Sequence, residues 1–243
     1  MTRSGCSARS SAATTGDVIE KGLTDAVRAA SPAGGVAAFD ADGTLWREDV
    51  GEAFLRHLVS CGWIRLADGS DPYEAYERAV ARDRRSGYAY AAQLQSGLEQ
   101  TRVAAEAERF AHWWVPPRLI APVQEVRASC AEAGLRLVVV SASPLPIVRA
   151  AAPLAGFSEY VAIEVTVDAG RFTEQVVEPV VYAEGKVKAA ARFGPLVVAC
   201  GDSLGGDFAL LAAARVPVAV GSRGGSPLVE EARRRGWFVI DPD

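Results

Sequence analysis

Two aspartates, separated by one residue, follow the first continuously apolar run of the 243-residue chain. The run Val36–Phe39 ends at Asp40, and Asp42-Gly43-Thr44 comes immediately afterwards. One carboxylate of such a pair can attack phosphorus and bind a metal ion, while the other exchanges a proton with the leaving group. Gly43 allows a sharp turn that presents the N–H groups of this loop, including that of Thr44, to a phosphate anion. A plain turn with an acidic tip is the alternative interpretation, because Asp-Gly is a common turn pair.

Two further candidate positions follow later in the chain. The apolar run Leu135–Val140 ends at Ser141, whose hydroxyl could bind phosphate oxygens together with the backbone N–H of Ala142. Lys186 opens a helix-like segment after Gly185, where a lysine could neutralise phosphate charge and hold a nucleophile. Each position has a structural alternative. The serine would cap the following helix, and the lysine would be an ordinary surface residue.

A third apolar run, Leu196–Ala199, is followed by two acids. Asp202 and Asp207 lie in the segment Gly-Asp-Ser-Leu-Gly-Gly-Asp. Carboxylates at a strand terminus beside glycines suit a hard, oxygen-ligated cation such as Mg²⁺. In the alternative interpretation, Asp207 caps a helix and Asp202 is a loop carboxylate. Because four such segments occur in order at strand ends, together they indicate a catalytic site.

The elements that must position these residues are short apolar strands that alternate with amphipathic helices. Val216–Val220 and Trp237–Ile240 complete the strand-like runs, and segments such as Val123–Ala133 and Val187–Phe193 have helical spacing. Runs that are apolar throughout are typical of strands buried on both faces of a parallel sheet. The alternation predicts an α/β fold with a doubly wound parallel sheet, in which ligands bind at the carboxyl ends of the strands.

A long insertion separates the first two predicted strands. It contains roughly 90 residues, far more than a crossover needs. Its helical patterns cover Gly51–Val59, Pro72–Arg85 and Ala89–Trp114. We therefore predict an inserted α-helical cap over residues 46–115 and an α/β core formed by residues 34–45 and 116–243.

Two other segments stand apart from the core. Val161–Val177 alternates apolar and polar residues around Asp168-Ala169-Gly170, which predicts a β-hairpin that turns at this tripeptide. Residues 1–33 are predicted to be an N-terminal extension, disordered or helical. Its Ser/Ala/Thr-rich start, residues 1–16, is typical of disorder.

Composition and charge exclude several classes of protein. The hydrophobic share of 49% and the charged share of 23% are those of a soluble globular protein, and the net charge of −4 argues against nucleic-acid binding. No apolar run reaches membrane-spanning length. The four cysteines lack C-x-x-C spacing, and two histidines are too few for a His-based metal site. We therefore predict a cytoplasmic protein. The sequence gives no indication of the oligomeric state.

The four chemically promising segments, in this order, resemble the motifs of the haloacid dehalogenase-like superfamily. The resemblance spans about Val36 to Val220 and implies a Rossmann-like core. It also implies that Asp40 is the nucleophile that forms an aspartyl-phosphate, and that Asp42 is first the general acid and then the base. The roles that it implies for the other residues are phosphate binding by Ser141 and Lys186, Mg²⁺ binding by Asp40, Asp202 and the backbone carbonyl of Asp42, and support of Lys186 by Asp207.

This resemblance predicts a Mg²⁺-dependent phosphatase for a small phosphorylated metabolite. Loss of the second aspartate goes with carbon–halogen cleavage in the superfamily, so the presence of Asp42 favours the phosphatase. A phosphotransferase such as a phosphosugar mutase shares the aspartyl-phosphate and is the main alternative. A non-catalytic module that binds a phosphorylated ligand is a further alternative, although such a module is expected to have lost Asp40, Asp42 or Lys186.

The cap and the hairpin are similar to those of phosphoserine phosphatase and phosphorylcholine phosphatase relatives. In phosphoserine phosphatases an acid nine residues after the nucleophile receives the substrate amine, and Asp49 occupies that position. Its alternative role is to cap the helix that begins near Gly51. Gly97 stands where those enzymes clamp the substrate carboxylate with an arginine. We therefore expect phosphoethanolamine-like or phosphocholine-like substrates rather than phosphoserine.

Aromatic residues in or beside the cap could also bind the ammonium group of such a substrate. Their ring faces could cage a quaternary ammonium or could simply pack between cap and core. These residues are Trp46, Trp63, Trp113 and Trp114.

Overall fold

A computed structural model describes residues 15–31, 34–222 and 225–243 of the chain. The predicted disorder of residues 1–14 lies outside this range. Thr15 and Gly16, which were included in the same prediction, instead begin the first helix, α1 (Thr15–Ala30).

The described chain alternates strands and helices. The strands are β1 (Val36–Phe39), β2 (Arg136–Pro144), β3 (Glu159–Ile163), β4 (Val165–Asp168), β5 (Arg171–Val176), β6 (Leu196–Gly201), β7 (Val216–Val220) and β8 (Phe238–Ile240). After α1, the helices are α2 (Val50–Ser60), α3 (Pro72–Arg82), α4 (Arg84–Gln93), α5 (Gln100–Trp114), α6 (Ala121–Glu132), α7 (Leu145–Ala151), α8 (Glu184–Ala190), α9 (Phe208–Ala213) and α10 (Pro227–Arg235).

One sheet organises the core. Within the described residues, β3, β2, β1, β6, β7 and β8 lie side by side in that order and run parallel. All four residues of β1 are buried, as expected for a central strand covered on both faces. The α/β fold with a doubly wound parallel sheet is therefore confirmed. Because β1 lies between β2 and β6, the carboxyl ends of these three strands meet at one edge.

The segment after the second strand differs from the prediction. Val161–Ile163, which was predicted as the start of the hairpin, belongs to β3 and pairs with β2 at the edge of the main sheet. Ala162 and Ile163 are buried there, so burial favours the sheet over an exposed hairpin. The hairpin itself consists of antiparallel β4 and β5 and turns at Ala169-Gly170, both of which have positive φ.

The prediction of one helix over Ala89–Trp114 is wrong, because the chain between α4 and α5 is not helical. Gly97 has a φ of +79°, in the left-handed region that favours glycine. Its N–H donates to the carbonyl of Phe172 at 2.8 Å, and the N–H of Phe172 donates to the carbonyl of Leu98 at 3.1 Å. Backbone pairing with β5 therefore interrupts the helix.

Helices α2 to α5 all lie between β1 and β2, within the predicted cap. Their apolar faces join the same buried cluster as the sheet, through residues such as Phe54, Phe110 and Trp114. The division into cap and core at residues 46 and 115 stays a prediction. Among the described residues, none of the helices combines the length and the apolar character that crossing a bilayer requires.

Candidate active site

Asp40 lies at the end of the central strand and is almost completely buried. One of its oxygens, Oδ1, accepts a hydrogen bond from Lys186 Nζ, and the other, Oδ2, accepts one from the Thr44 hydroxyl at 3.1 Å. Lys186 is 2% exposed, so it is not the surface lysine of the alternative interpretation. Burial and the nearby charge of Asp207 raise the pKa of Asp40 to about 7, while Lys186 opposes this shift. The lysine thus fixes the orientation and favours the charged form of Asp40.

Asp207 holds the other side of the lysine. Its Oδ1 accepts a hydrogen bond from Lys186 Nζ at 2.6 Å. Its Oδ2 accepts from the backbone N–H of Asp202 at 3.2 Å and from the N–H and hydroxyl of Ser203, both at 2.9 Å. Asp207 occupies the N-cap position of α9, but its side chain makes no capping hydrogen bond. The carboxylate instead ties Lys186 to the loop after β6.

Three carboxylates, that of Asp40 among them, converge at this edge of the sheet. Oxygens of Asp40, Asp202 and Asp207 lie within 4.8 Å of one another. Burial, followed by the charges of Asp40 and Asp207, raises the pKa of Asp202 to about 9. Oxygen ligands in such a cluster are those that Mg²⁺ prefers, and a cation would relieve their repulsion. The residues present therefore fit a Mg²⁺ ion.

Gly43 allows Asp202 to approach this cluster. A Cβ at position 43 would lie 2.3 Å from Asp202 Oδ2, which is closer than atoms can approach. Gly43 also has a φ of +78°, a conformation that side chains disfavour. Any other residue at this position would displace either the loop or the carboxylate.

Asp42 has different partners from Asp40. Its Oδ1 accepts hydrogen bonds from the Trp46 indole N–H at 2.9 Å and from the backbone N–H of Val50 at 2.7 Å. Its Oδ2 accepts one from the Ser143 hydroxyl at 2.7 Å. Burial raises the pKa of Asp42, although the hydrogen bonds from Val50, Ser143 and Trp46 lower it in part. A fixed carboxyl with a raised pKa is suited to proton transfer.

Two serines, Ser141 and Ser143, lie at the end of β2, and the sequence analysis missed Ser143. Ser141 is fully buried, and its hydroxyl oxygen accepts the N–H of Ser143 at 3.0 Å and lies 3.5 Å from Asp42 Oδ2. It does not cap α7, whose N-cap is Pro144. Ala142 and Ser143, but not Ser141, line the cavity described below. No local signal distinguished the two serines, because only the fold brings Ser143 onto Asp42.

Lys186 owes its position to an unusual local backbone. Ala183, which precedes α8, has a φ of +48°, a conformation that non-glycine residues adopt at a cost. A Cβ at Gly185 would lie 1.8 Å from the carbonyl oxygen of Val180. Only glycine permits this approach, so the Gly-Lys pair places the lysine where it reaches Asp40.

A cavity of about 320 Å³ lies above these groups, between the sheet edge and the cap. The core contributes Asp40, Asp42, Lys186 and Asp202 to its lining, among others. The cap and the segment after the hairpin contribute Asp49, Glu52, Tyr76, Tyr88 and Tyr182. The site is therefore a chamber of the size of a small ligand, with the predicted nucleophile at its base.

Asp49 caps a helix and also borders the cavity, so its predicted contact with a substrate amine stays a prediction. Its Oδ1 accepts the backbone N–H of Glu52 at 2.8 Å, so it is the N-cap of α2. It also lines the cavity. Burial and the nearby charge of Asp42 raise its pKa well above the ordinary value. Gly97, in contrast, lies outside the residues that line this cavity.

The aromatic residues that face the cavity are tyrosines, which the sequence analysis missed. None of the four tryptophans lines it. Trp46 and Trp114 are buried in the core, and Trp63 packs under the guanidinium of Arg102 at 3.8 Å. Trp113 is 60% exposed. Packing, rather than a cage, accounts for the buried tryptophans.

Comparison with known sequences assigns the chain to a family. The sequence pattern of the haloacid dehalogenase-like hydrolases matches residues 37–212, which is most of the chain and includes every residue from Asp40 to Asp207. The chain belongs to the haloacid dehalogenase-like hydrolase family. This membership confirms the family that the four motifs predicted. No curated protein sequence matches the chain.

Solved structures share the fold of this haloacid dehalogenase-like hydrolase. A protein of unknown function from Bordetella pertussis Tohama I superposes with a TM-score of 0.73 and 23% identity, over 86% of this chain and 98% of that chain. A probable phosphoserine phosphatase from Vibrio cholerae, in its unliganded form, gives 0.59 and 17%, over 85% and 60%. A phospho-aspartyl intermediate analogue of phosphoserine phosphatase gives 0.56 and 15%, over 86% and 93%. At these identities the likeness is one of fold.

Proposed function

We propose that the protein is a Mg²⁺-dependent phosphatase that hydrolyses a small phosphorylated metabolite through an aspartyl-phosphate on Asp40. The observation that carries the proposal is the position of Asp40 beside Lys186 and Asp202 in the lining of a cavity. Membership of a hydrolase family and a fold shared with phosphoserine phosphatases support it.

The chain's own residues can carry both chemical steps. In the first, an oxygen of Asp40 bonds to phosphorus while the bond from phosphorus to the leaving oxygen breaks, and Asp42 gives that oxygen its proton. In the second, Asp42 takes a proton from a water molecule that attacks phosphorus, and the bond to Asp40 breaks. Inorganic phosphate leaves, and both carboxyl groups return to their starting states.

Positive charge is needed because the nucleophile and the phosphate are both anionic. Asp40, Asp202 and the backbone carbonyl of Asp42 are the proposed Mg²⁺ ligands, and the bound ion supplies charge that offsets this repulsion. Lys186 adds a second positive charge beside Asp40. Ser141 and Ala142 are the proposed phosphate-binding residues, through the Ser141 hydroxyl and the backbone N–H of Ala142. The N–H groups of Gly43 and Thr44, predicted for the same role, instead donate to the carbonyls of Trp46 at 2.9 Å and Ala41 at 3.2 Å. Ser143 is added because it lines the cavity.

The cavity favours a small substrate over a macromolecule. Its volume of about 320 Å³ suits a phosphomonoester with a short leaving group. Asp49 lines the cavity and is proposed to face an amine on that group. A cytoplasmic location agrees with Cys61, Cys130 and Cys200, which are free thiols in the described part of the chain.

The test is a phosphate-release screen over small phosphomonoesters, with Mg²⁺ and with EDTA. We expect Mg²⁺-dependent release that Asp40→Asn abolishes, because a neutral amide is a poor nucleophile. Asp68→Asn, at a surface carboxylate outside the cavity, is the matched control. Full activity of Asp40→Asn, or activity unaffected by EDTA, would contradict the proposal. Addition of acceptor sugars separates the alternative phosphotransferase, since only that enzyme would phosphorylate the acceptor.

A further inference from the structure

We propose that the leaving group of the substrate carries an organic ammonium, and that Glu52 and three tyrosines select it. This inference rests on the proposed function, because it assigns a group to the substrate of the same site. The residues concerned line the same cavity as Asp40 and come from α2, α3, α4 and the segment before α8. We call them the distal wall: Glu52, Tyr76, Tyr88 and Tyr182.

The carboxylate of Glu52 is held in an unusual way. Glu52 stands three residues after the helix cap Asp49, a spacing at which a glutamate commonly turns back to the cap backbone. Here its Oε1 accepts the Tyr76 hydroxyl at 3.1 Å, and its Oε2 accepts the Tyr73 hydroxyl at 3.0 Å. Two hydroxyl donors from the neighbouring helix α3 therefore hold the Glu52 carboxylate at the cavity wall. The carboxylate does not turn back to cap α2.

Among the described residues that line the cavity, no cationic side chain pairs with Glu52. Seven carboxylates line the cavity, and Lys186 is the only cationic side chain among the described residues that do so. Lys186 is already bound to Asp40 and Asp207. Arg82, Arg84 and Arg85 line a neighbouring pocket, which Glu52 also borders, and do not line the cavity itself. An anionic leaving group would be repelled by Glu52, whereas a cationic one would compensate its charge.

The tyrosines of the distal wall add ring faces to this charge. Tyr88 of α4 and Tyr182 of the segment before α8 meet with ring centroids 5.4 Å apart, at an angle of 50°. Tyr76 is 2% exposed and turns its hydroxyl to Glu52. A cation within about 6 Å of an aromatic ring centroid is attracted by the ring, and burial strengthens that attraction. Charge and rings together favour an ammonium over a neutral group of equal size.

The experiment compares phosphocholine with 3,3-dimethylbutyl phosphate, in which carbon replaces the charged nitrogen at the same size. We expect the wild type to have a higher kcat/KM for phosphocholine. Glu52→Gln keeps the size and the oxygen acceptor of the side chain but removes its charge. It should lower the ratio of the two kcat/KM values about 10-fold, which corresponds to about 1.4 kcal/mol. Glu74→Gln, an exposed change on α3, is the control and should leave the ratio unchanged.

Binding provides a readout that does not depend on turnover. Titration calorimetry with Asp40→Asn and Mg²⁺ should give tighter binding for phosphocholine than for its neutral analogue, and Glu52→Gln in that background should remove the difference. Equal binding of the two ligands would overturn the inference even if the enzyme hydrolyses both, in which case the proposed function stands alone. A preference in binding without phosphate release would contradict the proposed function and leave the ammonium selectivity in place.

Two further ligands test the selectivity of the distal wall. Phosphoethanolamine carries a primary ammonium, and its rank relative to phosphocholine shows whether N–H donors or methyl groups suit the distal wall better. Phosphoserine carries an additional carboxylate, which Glu52 should repel. A higher kcat/KM for phosphoserine than for phosphocholine, with retention of that order in Glu52→Gln, would overturn the inference.

Discussion

Asp40 and Asp42 are two positions apart in the sequence, yet their carboxyl groups have different surroundings. Asp40 is bound by Lys186 and lies beside Asp202 and Asp207. Asp42 is bound by neutral donors, among them the Trp46 indole and the Ser143 hydroxyl. A fixed cation favours the charged form of a neighbouring carboxylate, whereas a buried carboxyl with neutral partners can carry a proton. Such a difference in surroundings is how an enzyme divides acid and nucleophile between like residues.

This division predicts a specific defect in Asp42→Asn. The first step should persist with p-nitrophenyl phosphate, whose leaving group needs no proton, while the second step loses its base. We expect a burst of about one p-nitrophenol per enzyme, followed by a steady rate lower by about 10²-fold or more. An alkyl phosphate should show no burst, because its leaving oxygen needs the proton. Stopped-flow absorbance measures the burst, and equal slowing of both substrates without a burst would contradict the role of Asp42.

The carboxylate cluster predicts pH-dependent binding of Mg²⁺. Burial and neighbouring charges raise the pKa of Asp40 to about 7 and that of Asp202 to about 9. Below these values protons compete with the ion, so binding releases protons and the affinity should rise with pH between about 7 and about 9. The slope should approach tenfold per pH unit for each proton released.

Calorimetric titration with Mg²⁺ at several pH values measures this slope. Asp202→Asn should bind Mg²⁺ more weakly and with a smaller slope, whereas Asp68→Asn should match the wild type. An affinity that does not change over this pH window would show that these carboxylates do not hold the ion.

The charged residues around Asp40 were predictable from the sequence, while the other residues that line the cavity were not. Asp40, Lys186 and Asp202 stand next to recognisable strand ends or glycines, so local sequence predicted where they would meet. Ser143 and Glu52 act through partners distant in the sequence, and no local pattern marks them. In the sequence, Tyr76 and Tyr88 look like ordinary helix residues and Tyr182 looks like a loop residue.

At the scale of the elements, strand positions were easier to predict than helix ends. β1 and β7 have the predicted bounds, because buried parallel strands are apolar throughout. The single helix predicted for Pro72–Arg85 ends at Arg82, since Asp83 caps α4 through Ser86 N–H at 2.8 Å. The break around Gly97 depends on pairing with β5, a partner far away in the sequence. Helical periodicity does not detect such tertiary contacts.

Helix α8 supplies a test at this scale. Gly185→Ala would place a methyl group 1.8 Å from the carbonyl oxygen of Val180, so the backbone must shift and carry Lys186 with it. We expect a loss of about 1–3 kcal/mol in the free energy of unfolding and a reduced kcat. Urea denaturation and steady-state kinetics measure the two effects.

The matched control is Gly22→Ala in α1. A Cβ at this position meets no atom within 4 Å, and alanine is the better helix former. We expect stability to be unchanged or raised by about 0.5–1 kcal/mol, with full activity. If Gly185→Ala behaves like this control, the close approach at Val180 does not position the lysine.

At the scale of the whole molecule, sheet and cap share one buried cluster. The interior of the described chain includes Cys130 on α6 and Cys200 on β6, whereas Cys61 at the end of α2 is exposed. The proposed catalytic groups thus lie next to one continuous buried cluster that the sheet shares with helices α2 to α5. Such a continuous core is expected to unfold cooperatively.

The cysteines report on this core. Burial raises the pKa of Cys130 to about 12 and that of Cys200 well above its ordinary value, so neither thiol should react in the native state. We expect iodoacetamide at pH about 8 to label Cys61, and to label the buried pair only in denaturant. Peptide mass spectrometry locates the label. Rapid labelling of Cys130 or Cys200 without denaturant would contradict a continuous, stable core.

The aspartyl-phosphate on Asp40 is the central claim, and chemical trapping tests it most directly. Sodium borohydride reduces an acyl phosphate to an alcohol, so a phosphorylated Asp40 would become homoserine. The variant Asp42→Asn, in which the intermediate should accumulate, is mixed with p-nitrophenyl phosphate and Mg²⁺, quenched and reduced. Mass spectrometry should find homoserine at position 40 only when the substrate is present. Release of p-nitrophenol without homoserine at position 40, or with homoserine at another aspartate, would contradict the account.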